Sequence, residues 1–121
     1  MPKDTSSQLP ERLPNAEHAI VPQAKICDYL LSLSHPIGRF KVAFFGAFGY
    51  TIEDWQRLRT DLLQIARSGI AVPGPVSPYG QKYEVRATLV GPSGWRTDLV
   101  TVWIILDGET YPQFVTAFPG E

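Results

Sequence analysis

The chain has 121 residues, 44% of them hydrophobic and 12% aromatic, which is enough for one domain with a real core and too little for two ordinary ones. No apolar run approaches the roughly 20 residues of a membrane helix and Met1 to Leu13 lacks the apolar segment of a signal peptide, so a cytoplasmic location is expected. The net charge of −1 argues against a generic nucleic-acid binder. A single cysteine, Cys27, rules out an internal disulfide, and with two histidines a structural zinc site is not expected, nor any other cofactor.

The charge is unevenly placed. Residues 35–96 hold Arg39, Lys41, Arg57, Arg59, Arg67, Lys82, Arg86 and Arg96 against Glu53, Asp54, Asp61 and Glu84, a net +4, while residues 97–121 carry −4. A local basic face on a neutral protein is one reading. Solvated helix arginines are the other.

In chain order, residues 1–12 are polar and proline-bearing and read as a flexible tail. Residues 13–121 read as a single α+β domain. Asn15 to Val21 reads as extended. Pro22 suits a helix start, and Ile26, Tyr29, Leu30 and Leu33 recur at helical spacing, giving a helix over about 22–33. Ser34-His35-Pro36 ends it, because a residue before proline avoids the helical region. Phe40, Phe44, Ala47 and Phe48 suit a second helix over about 38–48, with Gly49 at the C-cap. Thr51 reads as the N-cap of a third helix over about 52–68, whose apolar stripe is Ile52, Trp55, Leu58, Leu62 and Ile65.

Pro73, Gly74, Pro75 and Pro78 mark residues 70–79 as a loop. The next segment alternates, with Tyr83, Val85, Ala87 and Leu89 on one side and Lys82, Glu84, Arg86 and Thr88 on the other, and predicts a strand over about 81–91. A second strand over about 96–106 is apolar on both faces from Val100 to Leu106, as a central strand should be. An edge strand follows over about 112–118. Short turns make the three an antiparallel meander carrying the helices: α+β. Cys27 reads as a small buried hydrophobe on the first helix.

Several fragments form an ordered set: Leu13-Pro14-Asn15-Ala16-Glu17, Tyr29-Leu30, His35-Pro36-x-Gly38-x-x-Lys41, Phe45, Gly49-Tyr50, Tyr79-Gly80-x-x-Tyr83-x-Val85, Gly91-Pro92-x-Gly94, Trp103-Ile104 and Pro112. Over residues 13–118 this set resembles one bacterial family catalogued as a domain of unknown function. Similar domains stand alone or end large secreted proteins that look like polymorphic or contact-dependent toxins. Their helices-then-sheet layout resembles the metal-independent ribonuclease toxins related to barnase, colicin D and RelE. Phe48 and Phe114 depart from the resemblance, standing where smaller aliphatic residues are expected.

The resemblance implies one chemistry, metal-independent endoribonucleolysis with RNA as partner. It needs a base for the ribose 2′-OH, an acid for the leaving oxygen and cations for the phosphate. His35 and Lys41 are the catalytic candidates, and Arg39, Lys82 and Arg86 the phosphate-binding ones. Thr101 and Trp103 share a strand face and are candidate substrate contacts, by hydrogen bond and base stacking. Four of these have a plainer reading. His35 can cap the first helix, Lys41 can be a solvated charge, Arg86 can pair with Glu84, and Trp103 can be core. The alternative function is a non-catalytic interaction module, half of a two-protein bacterial pair, offering edge strand 112–118 with Phe114, Val115, Ala117 and Phe118 to a protein partner. The sequence leaves the oligomeric state open.

Overall fold

The computed structural model describes residues 12–32 and 38–120, with side chains left out of the description for residues 38–40. Expectations for residues 1–11 of the tail, for Leu33 and for Ser34-His35-Pro36 lie outside the described residues. Among those residues three helices precede a four-stranded antiparallel sheet, an α+β arrangement. Helix α1 opens as Gln23–Lys25 and continues as a π-helical stretch, Ile26–Leu30, closed by a bond from the Leu31 N–H to the Ile26 carbonyl at 2.8 Å. Widening that turn keeps Ile26 and Leu30 facing inward, and both are fully buried. Upstream, Ala16–His18 is a short 3-10 turn where extended chain was expected, with Asn15 left-handed (φ 53°) before it.

Helix α2 is Gly38–Ala47. Phe45 and Phe48 are buried, and Phe44 stacks edge-on against both at 5.0 and 5.1 Å. Gly49 stops the helix with φ 98°, and the Tyr50 N–H returns to the Phe45 carbonyl at 3.2 Å. A Cβ at Gly49 would stand 2.7 Å from the Ser93 nitrogen, so glycine is needed there for space as well as for φ.

Helix α3, Trp55–Ser68, follows the 3-10 turn Ile52–Asp54, and the Thr51 hydroxyl accepts the Asp54 N–H at 3.3 Å as the expected N-cap. Leu58, Leu62 and Ile65 form its buried stripe, while Ile52 is exposed. Trp55 lies half-buried under the Arg59 guanidinium, 4.6 Å from the ring centre.

The strands are β1 (Ile70–Ser77), β2 (Gly80–Val90), β3 (Arg96–Leu106) and β4 (Gln113–Pro119), in spatial order β1-β2-β3-β4. Strand β1 corrects the expected loop over 70–79. Its prolines sit on an edge strand, where a missing N–H leaves no central ladder broken, and the register with β2 shifts between Pro73 and Val76. Strand β3 is central and buried at Leu99, Val100, Thr101 and Trp103. Val102 pairs with Thr116 and Trp103 with Phe114, so Val115 is an extra, bulged residue of β4. Helix α3 packs over one face of β2 and β3, closing a core around Val85, Leu89, Leu99, Trp103 and Phe114.

Candidate functional site

Register decides which candidate residues can act together. Directly paired residues of an antiparallel sheet share a face. Thr101 pairs with Val85 and Trp103 with Tyr83, on the face under the helices. Arg86 pairs with Val100 and Lys82 with Ile104, on the opposite face. The proposed substrate contacts and phosphate grip therefore lie on opposite sides of the sheet.

Thr101 and Trp103 also have no free surface. Both are fully buried, the Trp103 Nε1–H donates to Thr101 Oγ1 at 2.7 Å, and Thr101 donates to the Val85 carbonyl at 2.9 Å. The polar groups expected to meet a substrate satisfy each other inside the core, as buried polar groups must. This corrects the expectation and bears out the plainer reading of Trp103.

Lys41, on α2, is half-buried. Its Nζ donates to the Ala117 carbonyl on β4 at 2.7 Å and lies 5.8 Å from the centre of the Phe118 ring. Burial lowers its pKa from the usual 10.5. Its ammonium thus ties α2 to the sheet. Lys82 and Arg86 are exposed on β2, and Arg86 Nη2 stands 3.9 Å from Glu84 Oε1, the loose surface pair that two-residue spacing suggests. Arg39 lies in the first turn of α2 and His35 outside the described residues. Among the described side chains of the candidate set, Thr101 and Trp103 are the two brought into contact.

The β4 edge, expected to be open, is already partly engaged. Ile20 forms a parallel bridge with Gln113: the Ile20 N–H donates to the Pro112 carbonyl, and the Phe114 N–H donates to the Ile20 carbonyl, each at 2.9 Å. Lys41 holds Ala117, and the Tyr29 and Thr116 hydroxyls meet at 2.9 Å. A hollow of about 600 Å³ between α1 and β4, lined by Lys25, Asp28, Tyr29, Val115 and Thr116 among others, contains none of the candidate catalytic, phosphate-binding or substrate-contact residues.

The flank left open is the other one. Strand β1 exposes Ile70, Val72 (52%) and Val76 (78%), and the β1–β2 turn exposes Tyr79 (74%). These residues went unrecognised in the sequence because the prolines between them resemble loop punctuation. The available signal was the apolar run Ile70-Ala71-Val72, with β-branched residues at both ends, directly before them. By register Ile70 and Val72 share the face of Arg86 and Glu84, while Val76, opposite Gln81, lies on the other face; exposed apolar side chains strung along the β1 edge suit contact with another macromolecule.

The family described as Domain of unknown function (DUF6883) matches residues 12–121. The chain belongs to this family. No curated protein matches the DUF6883 chain. Its fold is similar to that of a chain in a solved structure, "Contact-dependent growth inhibition toxin - immunity protein complex from Klebsiella pneumoniae 342", with a TM-score of 0.66, 20% identity, and coverage of 84% of this chain and 99% of that one. At that identity the likeness is one of fold. Among the described residues no helix of the DUF6883 chain is long and apolar enough to cross a membrane.

Proposed function

We propose that this DUF6883 chain is a protein-interaction module, one half of a bacterial two-protein pair of the effector–immunity or toxin–antitoxin kind. The observation that carries the reading is the open apolar flank, Ile70, Val72, Val76 and Tyr79. A fold shared with a chain of a toxin–immunity complex supports it. The metal-independent ribonuclease reading rests on His35 and Lys41, and the bond from Lys41 to the Ala117 carbonyl weighs against it. We therefore place binding ahead of catalysis.

The test is to express the tagged chain and a Val72→Asp/Val76→Asp variant in the native host and size the recovered species. The reading expects wild type in a stoichiometric complex with one protein and the variant free but folded. Wild type recovered free, or RNA fragmentation that His35→Ala/Lys41→Ala abolishes, would contradict it.

A further inference from the structure

Strand β2 outruns β1. The pairing with β1 begins at Ile70↔Arg86, yet β2 continues through Ala87, Thr88, Leu89 and Val90, with β3 pairing its other side. At the β2–β3 turn the Gly91 N–H bonds the Trp95 carbonyl at 3.0 Å. Backbone groups alternate in an antiparallel ladder, so Leu89 and Ala87 bond β3 while Thr88 and Val90 point their N–H and C=O groups away from it. Among the described residues no backbone group bonds those four groups. They open into a slot of about 200 Å³ walled by Asp61, Gln64, Ile65 and Ser68 of α3.

This slot has a bare strand edge on one side and a helix on the other. Two donors and two acceptors at strand spacing are matched in full by another extended backbone, the basis of strand addition. Four residues of edge span roughly 13 Å at 3.3 Å per residue. With strands about 4.8 Å apart the edge offers a footprint of roughly 60 Å², far short of the ~800 Å² per partner that a stable dimer buries, which disfavours a second copy and fits a single short segment. Along the line of β1, such a segment would end beside Ile70 and so be continuous with the apolar flank.

Resting on the interaction-module reading above, we infer that the slot between Ala87–Val90 and α3 takes an extended segment of the protein partner as an added antiparallel strand. The two partner residues that face β2 carry free N–H groups and are therefore not proline. Those turned to α3 are small or polar, to suit Gln64 and Ser68.

The probe is an octapeptide selected from a random displayed library against the full chain, then resynthesised with one N-methyl group at each position in turn. Amide exchange should slow at Thr88 and Val90 on binding. Methylation at every second residue should weaken binding by about tenfold, the loss of roughly one hydrogen bond, with the intervening positions unaffected. A flat methylation profile, protection elsewhere, or a selection that yields no binder overturns the inference. So does tenfold tighter binding after removal of residues 1–11, which would make this chain's own segment the occupant, or a dimer that protects the same amides. Any of these alongside a complex still dependent on Val72 and Val76 would remove strand addition and leave the interaction module standing.

Discussion

The Tyr50 hydroxyl donates to Asp61 Oδ2 at 2.6 Å, joining the end of α2 to the middle of α3. The same oxygen accepts from Arg57 Nε at 3.1 Å. Tyr50 is buried, so this short bond holds two helices together across a low-dielectric contact. Burial first, and then the Asp61 hydrogen bond and charge, hold the phenol well above its usual 10.0.

Tyr50→Phe should therefore cost about 1–3 kcal/mol at neutral pH, read by denaturant unfolding. The sign of the pH effect follows from linkage. A group whose folded pKa is raised contributes fully below its unfolded value and loses that contribution above it. Wild-type stability should fall as pH rises beyond 10, and this part of the fall should vanish in Tyr50→Phe.

Lys41 should behave in the opposite sense. Its folded pKa is lowered by burial, so the unfolded chain binds more protons as pH climbs towards 10.5, and stability rises over that window. Below it the burial cost is present in full, offset by the bond to Ala117. Lys41→Met should flatten the rise, while amide exchange near Ala117 reports whether α2 has loosened from β4.

Thr101→Val removes both the acceptor for the Trp103 indole and the donor to the Val85 carbonyl. Leaving a buried N–H unpaired costs about 1–3 kcal/mol, so the midpoint of unfolding should drop clearly. Thr101→Ser keeps the hydroxyl and should recover most of that loss, which a methyl-packing effect alone would not allow.

Gly49→Ala should be destabilising by about 1–2 kcal/mol or more, from the left-handed conformation and the close approach to the Ser93 nitrogen. Gly94 also has positive φ (90°) but meets nothing within 4 Å. Gly94→Ala should cost less, and differential scanning calorimetry of the pair separates strain from clash.

Periodicity carried most of the architecture. The stripe Leu58, Leu62, Ile65 and the alternation Tyr83, Val85, Ala87, Leu89 each point to a buried face. What stayed hidden were non-local facts. Pro73 and Pro75 look like loop residues until the neighbouring strand shows that they lie on an edge. Lys41 looks like a free cation until folding brings Ala117 to it, 76 residues later in the chain. Thr101 and Trp103 were correctly placed on one face, but the sequence does not say that the face is covered.

In the proposed function the β1 flank meets a protein partner. A photo-crosslinking amino acid placed at Val76 in cells of the native host tests it most directly, with Ala43 on the exposed side of α2 as control. One discrete protein adduct is expected from position 76, absent from position 43. No adduct at 76, or the same adduct from both positions, would contradict it.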